Sequence, residues 1–276
     1  MLYNNKQELL ELLRRENLFT EKKLGQNFIF NTQIIEQIVE AADLQPNDDI
    51  IEVGPGLGIL TLELAKHAQK VTTIELDQKL IPYLEKTFAE HNQQKNIEII
   101  HQNVLDSIPP STPYKLVANI PYYITSPILS HYLQINSPSI RPTTIVLLVQ
   151  LEVAQKICAK TGDHGVLSLQ TQIFAEPKII AKVSPTNFVP APKVDSAILK
   201  LTIHPKPLVS NPQLFIDLIK KAFSQKRKTL LNSLQGWKNL DRLAINALLE
   251  KAGIDFMVRP QNLEIADFEK ICLALN

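Results

Sequence analysis

The first 204 residues alternate between short apolar runs and stretches in which apolar residues recur at helical spacing. A period of about 3.6 residues predicts an amphipathic helix, and a short apolar run bounded by turn residues predicts a buried strand. The predicted helices are 6–15, 33–42, a helix from the turn that ends at 58 to about 68, 78–91, 125–134 and 151–160. The predicted strands are 50–53, 70–74, 97–100, 115–118, 143–149, 178–183 and 195–203.

The order of these elements predicts an α/β fold. Strands separated by helices favour a parallel sheet that is covered by helices on both faces. The strands over 178–183 and 195–203 are joined too closely for a helical crossover, so we expect them to pair antiparallel. Residues 22–28 interrupt the helical pattern and are predicted to form a loop.

A proline-rich stretch over 204–212 is the best candidate for a domain boundary. Beyond it the pattern is helical, with helices predicted near 212–224, 229–235, 241–252 and 265–274. We therefore predict a first domain over 1–204, with 1–20 as a helical extension, and a small, all-helical domain over 205–276. A length of 276 residues agrees with two domains.

Charge is unevenly divided between the two predicted domains. The chain has 29 Lys and Arg and 28 Asp and Glu, of which 205–276 holds 11 and 7, a net charge of +4. Five cations within nine residues form what we call the basic cluster: Lys220, Lys221, Lys226, Arg227 and Lys228. Such a cluster can bind the phosphates of a nucleic acid. The alternative is a solvated helix face.

Composition and spacing exclude several other classes of protein. A chain with 45% apolar and 21% charged residues is typical of a folded globular protein. Cys158 and Cys272 lie far apart, which favours a reducing cytosol over a disulfide framework. The histidines lack metal-ligand spacing, so we predict no metal site. Without a signal-peptide pattern or an apolar stretch of about 20 residues, we expect a cytoplasmic protein that does not contact a membrane.

A glycine turn follows the strand over 50–53. Gly54 and Gly56 can adopt positive φ and let a ligand approach the backbone closely. The dinucleotide motif G-x-G-x-x-G would need a third glycine where Ile59 stands, so a pyrophosphate cofactor is disfavoured. Glu75 ends the next strand, where a carboxylate can accept hydrogen bonds from both ribose hydroxyls of an adenosine ligand. This combination fits S-adenosylmethionine; the alternative is a tight turn beside a solvated acid.

The sequence Asn119-Ile120-Pro121-Tyr122 follows the strand over 115–118. These residues suit methyl transfer to an exocyclic aromatic amine, whose lone pair is delocalised into the ring. The Asn119 side-chain oxygen and the Ile120 carbonyl can accept from the amine and favour the geometry in which the lone pair is available. Pro121 fixes the backbone, and Tyr122 offers a face for base stacking. The alternative is an ordinary turn beside a buried tyrosine.

A second aromatic residue, Phe188, lies beside Pro190 and Pro192. A loop stiffened by prolines can hold Phe188 as the opposite face of a clamp around the target base. The alternative is that Phe188 anchors the core.

Together these motifs resemble the ribosomal RNA adenine N6-dimethyltransferase family, in the branch that dimethylates two adjacent adenines near the 3′ end of small-subunit (16S) rRNA. The first and last matching segments are the most specific, because generic methyltransferases lack them. The matching segments are 23–28, 51–56, 74–77, 119–122, 188–196 and 223–230.

The resemblance implies a Rossmann-like, S-adenosylmethionine-dependent methyltransferase domain and a helical, basic domain that binds rRNA. It implies that the methionine moiety lies at Gly54 and the ribose at Glu75. The implied cofactor contacts are Asn27, the Ile29 backbone, Gly54, Gly56, Glu75, Asn103 and Asn119. The implied contacts to the target adenine are Asn119, Ile120, Pro121, Tyr122 and Phe188.

One position departs from the family pattern. The family usually has Asp after the third strand, where it contacts the cofactor's adenine amino group, whereas this chain has Asn103. An amide oxygen can still accept from an amino group, but without the charge.

The resemblance also implies a partner, small-subunit rRNA within a pre-ribosomal 30S particle, and a monomeric enzyme without a metal. The motif at 119–122 is shared with the branch that methylates a large-subunit adenine and confers antibiotic resistance, which is the second candidate. A non-catalytic rRNA-binding assembly factor is the third.

Overall fold

The structure is a computed structural model that describes residues 2–91, 95–134, 140–225 and 227–275. The chain divides into two compact units, Met1–Ala154 with Lys178–Ile203, and Gln155–Pro177 with His204–Asn276. The second unit therefore includes a segment, 155–177, that the predicted boundary at 204 assigns to the first domain. This segment joins the second unit because its helix packs against the helix that follows residue 211.

The first unit is built around a seven-stranded sheet. In chain order the strands are β1 Phe28–Ile29, β2 Asp49–Val53, β3 Lys70–Glu75, β4 Ile97–His101, β5 Lys115–Asn119, β6 Thr144–Gln150, β7 Ala175–Val183, β8 Phe188–Val189 and β9 Ser196–Ile203. The sheet has the order β4-β3-β2-β5-β6-β9-β7, while β1 and β8 form a separate antiparallel pair.

The pairing directions confirm the predicted α/β fold. Strands β4, β3, β2, β5 and β6 are parallel neighbours, and β9 pairs antiparallel with β6. Strand β6 lies inside the sheet, and its residues Ile145–Val149 are fully buried, as a strand covered on both faces requires. Strand β7 lies beside β9, as the short connection between them predicts.

The helices follow the predicted spacing at most positions. In chain order they are α1 Lys6–Arg15, α2 Thr32–Ala42, α3 Ile59–Leu64, α4 Ile81–Glu90, α5 Thr125–Leu133, α6 Leu151–Ile157, α7 Val166–Gln172, α8 Pro212–Ala222, α9 Leu230–Leu234, α10 Arg242–Lys251 and α11 Ile265–Leu275. The apolar pattern did not predict α7. The described residues of 204–275 form helices and turns without a strand.

Two helices end earlier than predicted, and distant amide side chains bind carbonyl groups at or just beyond their ends. Beyond α3, the Asn96 Nδ2 donates to the carbonyl oxygens of Ala65 and Ala68 at 2.8 and 3.3 Å. Beyond α6, the Gln172 Nε2 bonds in the same way to residues 157 and 159. These side chains satisfy carbonyls at helix ends, which further helical turns would otherwise satisfy.

The core of the first unit extends into the N-terminal helix. Leu9 of α1 and Ile38 of α2 are fully buried in the same apolar cluster as Val117 and Val146 of the sheet. The segment 1–20, predicted as a helical extension, therefore contributes to the core of this unit.

Candidate active site

A cavity opens at the carboxyl ends of β2, β3 and β5, where ligands bind in open parallel sheets. It brings together most of the predicted site residues, although they come from distant parts of the sequence. The predicted residues that line it are Asn27, Ile29, Gly54, Gly56, Glu75, Asn103, Asn119, Ile120, Pro121 and Tyr122.

The glycine turn leaves room for a ligand on one side and packs tightly on the other. Gly54 and Gly56 have φ values of 66° and 57°, in the left-handed region that side chains rarely adopt. A Cβ added to Gly54 would meet no heavy atom within 4 Å, whereas one added to Gly56 would lie 3.1 Å from the Phe28 ring. The backbone at Gly54 is thus accessible to a ligand such as S-adenosylmethionine.

Glu75 is a buried carboxylate with a fixed orientation. Its Oε1 accepts hydrogen bonds from the backbone N–H groups of Leu76 and Asp77 at 2.8 and 2.7 Å. Burial raises the pKa of Glu75, and hydrogen bonds from backbone donors oppose that rise. A carboxylate held in this way can accept from ribose hydroxyls without reorganising.

Glu52 is a second buried carboxyl group in the cavity wall; it lies in the matching segment 51–56, but the sequence analysis assigned it no role. It is 1% exposed, and the Thr61 hydroxyl donates to its Oε2 at 2.5 Å. Burial raises the pKa of Glu52 to about 8, and the nearby charge of Glu75 adds to the rise. A charged residue within the apolar strand β2 is the signal that could have identified it.

Glu52→Gln is expected to flatten the pH dependence of stability. Between an ordinary pKa of 4.5 and about 8, the folded state keeps the Glu52 proton and the unfolded state loses it. The wild-type free energy of unfolding therefore falls as pH rises through this window, by up to about 1.4 kcal/mol per pH unit from this group. Glutamine has no such proton and should lose this contribution.

The measurement is denaturant unfolding without cofactor at pH 5, 6, 7 and 8. Glu36→Gln, at an exposed position of α2, is the control and should keep the wild-type slope. Parallel pH profiles for the wild type and Glu52→Gln would contradict the prediction.

The loop before β1 is bound to the ends of two strands. The Gln26 Nε2 donates to Asp77 Oδ2 beyond β3 at 3.0 Å, and the Asn119 Nδ2 of β5 donates to the Asn27 carbonyl at 3.1 Å. A carbonyl partner identifies the Asn119 donor as its nitrogen, so the Asn119 oxygen is left as an acceptor. This is the chemical role that the sequence predicts for Asn119.

Tyr122 is held by Ser196, which ends the matching segment 188–196 but to which the sequence analysis assigned no role. The Tyr122 hydroxyl lies 2.6 Å from the hydroxyl oxygen of Ser196, the first residue of β9. Burial raises the pKa of Tyr122 above its ordinary value, which strengthens the preference for the uncharged phenol. The bond to Ser196 fixes the position of the Tyr122 ring.

The structure places Phe188 differently from the predicted base clamp. Phe188 is 2% exposed and belongs to the apolar cluster of the first unit. Among the described residues that line the cavity, Phe188 does not appear. Strand β8 pairs Phe188 with Ile29 of β1, which sets the phenylalanine into the core. This arrangement corresponds to the alternative role, a core anchor.

Asn103 has structural bonds of its own. Its Oδ1 accepts from the backbone N–H of Leu105 at 3.2 Å and so caps the 3₁₀ turn Val104–Asp106. Its Nδ2 donates to Asp106 Oδ2 at 3.1 Å. The amide in place of the family's usual acid therefore pairs with a neighbouring carboxylate.

The basic cluster lies in the second unit. Lys220, Arg227 and Lys228 are exposed and Lys221 is half-buried, while Lys226 lies outside the described residues. In the described part of the chain, no salt bridge joins these cations to an acid. The nearby acid Asp217 instead pairs with Lys238 at 3.0 Å. Among the described residues of the cluster, Lys221, Arg227 and Lys228 therefore form no salt bridge, and the charge of Lys220 helps to lower the pKa of Asp217.

The described ranges contain neither a group of side chains arranged to bind a metal ion nor a helix able to span a membrane. Across these residues, no group of three or more His, Cys, Asp or Glu side chains is arranged to hold a metal ion. No helix in this part of the chain has both the length and the apolar character needed to cross a membrane.

Comparison with known proteins identifies close relatives along almost the whole chain. The model of the family "Ribosomal RNA adenine dimethylase" matches residues 18–276. The ribosomal RNA small subunit methyltransferase A of Dehalococcoides mccartyi is 40% identical, over 95% of this chain and 91% of the relative. The protein of the same name from Clostridioides difficile is 39% identical, over 96% and 94%.

Solved structures agree with this relationship. A dimethyladenosine transferase from Plasmodium falciparum superimposes with a TM-score of 0.78 at 26% identity, over 89% of this chain and 96% of the other. The 23S rRNA methyltransferase ErmE superimposes with a TM-score of 0.70 at 30% identity, over 90% and 99%. By family model, by sequence and by fold, this chain belongs to the ribosomal RNA adenine dimethylase family.

Proposed function

We propose that this protein transfers methyl groups from S-adenosylmethionine to N6 of two adjacent adenosines near the 3′ end of small-subunit (16S) rRNA, in ribosome biogenesis. Relatives about 40% identical over nearly the full chain carry the name of a small-subunit rRNA methyltransferase. The main structural support for this chemistry is that the Asn119 oxygen is left as a hydrogen-bond acceptor in a cavity that Gly54 and Glu75 also line.

The residues at 119–122 would act on the target amine. The Asn119 oxygen and the Ile120 carbonyl accept from the two N–H bonds of adenine N6, which favours a pyramidal nitrogen with an available lone pair. Pro121 sets the direction of that carbonyl, and the Tyr122 ring, fixed by Ser196, stacks on the base.

The other wall of the cavity would hold the methyl donor. S-adenosylmethionine supplies an activated methyl group on its sulfonium. Gly54 and Gly56 pass close to the methionine moiety, and Glu75 accepts from the ribose hydroxyls. Asn27, Ile29 and Asn103 line the rest of the cofactor site. Attack by the amine nitrogen would form the N–methyl bond as the sulfonium–methyl bond breaks, which releases S-adenosylhomocysteine. The amine proton leaves to solvent. Because the methyl group is already activated by the sulfonium, this reaction needs no metal.

The proposal also includes the partner, the oligomeric state and the location of the protein. The natural partner is small-subunit rRNA within a pre-ribosomal 30S particle, and the protein acts there as a monomer in the cytoplasm. In this proposal the first domain carries S-adenosylmethionine, and the helical domain binds rRNA phosphates through the basic cluster.

The test is methyl transfer with purified components, read by mass spectrometry of the rRNA. Under-methylated 30S subunits should gain N6,N6-dimethyladenosine at two adjacent positions only when the protein and S-adenosylmethionine are both present. Large-subunit rRNA is tested in parallel because the 23S rRNA methyltransferase ErmE is 30% identical. Modification of that rRNA alone would favour the second candidate, and binding to 30S subunits without modification would favour an assembly factor.

Asn103→Asp provides a further test of the cofactor site. From sequence, this change should preserve or tighten cofactor binding, because charged acceptors form stronger bonds. In the structure, however, Asn103 donates to Asp106, so Asn103→Asp would set two carboxylates against each other. Asn103→Asp is therefore expected to weaken S-adenosylmethionine binding by about fivefold.

Asp106→Asn in the same chain removes this repulsion and should restore or tighten binding. Isothermal titration calorimetry with S-adenosylmethionine measures all three proteins. The prediction is wrong if the double variant binds no better than Asn103→Asp alone.

A further inference from the structure

The segment before residue 18 reaches the cofactor cavity, although it lies outside the residues that the family model matches. Tyr3, which precedes α1, lines the cavity together with the glycine turn and Glu75. Its side chain is 1% exposed and belongs to the main apolar cluster of the first unit. A residue of the N-terminal extension thus forms part of the wall of the predicted S-adenosylmethionine site.

The helix after Tyr3 is firmly held. Leu9, Leu12 and Leu13 are 0%, 5% and 8% exposed in the core. The Asn5 side chain caps the start of α1 by accepting from the Glu8 N–H at 2.9 Å. At the other end, Glu16 forms a salt bridge of 3.1 Å with Lys86 of α4. Buried contacts, a cap and an ion pair all hold the segment in place.

Tyr3 belongs to the same apolar cluster as two aromatic residues of α4, Tyr83 and Phe88. Burial and the neighbouring Tyr83 raise the pKa of the Tyr3 phenol above its ordinary value. Phe88 in turn packs against the glycine turn, because a Cβ added to Gly58 would lie 2.8 Å from its ring. One apolar cluster therefore connects Tyr3 with a residue that packs on the glycine turn.

We propose that Tyr3 is a positioning residue for the S-adenosylmethionine site, so that the N-terminal extension completes the wall of the cofactor cavity. This inference rests on the proposed function only in the identity of the ligand. Because Tyr3 is 1% exposed, its ring acts as a rigid support behind the residues that the ligand contacts, and it holds their positions before the ligand binds. Its contribution is to binding of the methyl donor, and rRNA recognition does not depend on it.

The test measures S-adenosylmethionine binding to the full chain by calorimetry. Tyr3→Ala is expected to raise the dissociation constant by about tenfold, and Tyr3→Phe, which keeps the ring, to change it less than about twofold. Leu9→Ala is the matched control, because it removes a buried side chain from the same segment without touching the cavity. It should lower the melting temperature and leave the dissociation constant within about twofold of wild type.

The outcomes separate the possible roles of Tyr3. An unchanged or lower dissociation constant in Tyr3→Ala would overturn the inference. Equal losses of affinity in Tyr3→Ala and Leu9→Ala would also overturn it, because Tyr3 would then act only by docking α1. If Tyr3→Ala does not fold, Tyr3→Leu is measured instead; it keeps apolar volume but leaves part of the space of the ring empty, so it should still raise the dissociation constant, and an unchanged constant would overturn the inference. A wild-type chain that does not bind S-adenosylmethionine would instead refute the proposed function.

Discussion

Asn119→Ala is expected to lower kcat for rRNA methylation by about 10²–10³-fold, the usual cost of removing one preorganised group that stabilises developing charge. The acceptor oxygen of Asn119 is left available because its nitrogen donates to the Asn27 carbonyl. The variant also loses that bond, so affinity for S-adenosylmethionine should fall, but by far less than kcat. Single-turnover methylation together with calorimetry measures the two effects separately.

Loosening of the loop before β1 is the competing explanation for a loss of activity in Asn119→Ala. Gln26→Ala controls for it, because Gln26 binds the same loop to Asp77 and is not among the predicted contacts to the target adenine. A loss of kcat in Gln26→Ala equal to that in Asn119→Ala would show that loop order explains the effect. Asn119→Ala with a kcat within about threefold of wild type would mean that the acceptor is not catalytic.

The parts of the site that sequence reasoning found have strong local chemistry. Each of these features is recognisable from a few neighbouring residues: the glycines with positive φ at 54 and 56, the carboxylate at the end of β3 and the proline that follows the 119–120 pair. The parallel sheet brings these residues together, because the carboxyl ends of its strands meet at one edge. The alternating pattern predicts the parallel sheet, and the structure adds the order of its strands, which decides the strand ends that border the cavity.

The parts that sequence reasoning missed depend on contacts between distant residues. The Ser196 hydroxyl reaches Tyr122 across 74 residues, and Gln26 reaches Asp77 across 51. The spacing of apolar residues along the chain does not indicate such pairs of distant polar side chains. Phe188 illustrates the same limit, since an aromatic residue between prolines suits a base clamp or a core anchor equally well. Its pairing with Ile29 decides its position in the structure.

The N-terminal segment shows a second kind of limit. Leucine spacing predicts α1, and the structure confirms the helix at Lys6–Arg15. The pattern identifies an apolar face but not the surface that this face covers. Only the fold shows that α1 packs on the core and that Tyr3 reaches the cavity.

Replacing Lys226, Arg227 and Lys228 of the basic cluster with alanine is expected to weaken binding to the 30S subunit by about 100-fold near physiological salt. The salt dependence of binding should flatten by about one unit of log–log slope for each phosphate that the variant no longer binds. Arg227 and Lys228 are exposed and, within the described residues, form no ion pair, so each can meet a phosphate without first breaking a salt bridge.

Net charge alone could produce a weaker version of this effect, and a second triple variant measures that contribution. Lys160, Lys206 and Arg259 are exposed cations of the same unit that lie outside the basic cluster. Their replacement by alanine changes the net charge equally, but it should leave most of the affinity and the salt slope intact, because phosphate binding depends on position. Affinity for S-adenosylmethionine should stay at the wild-type value in both variants, since the described cations among these six do not line the cofactor cavity. Equal losses of 30S binding in the two variants would show a nonspecific effect of charge, and wild-type binding by the first would leave the cluster as a solvated helix face.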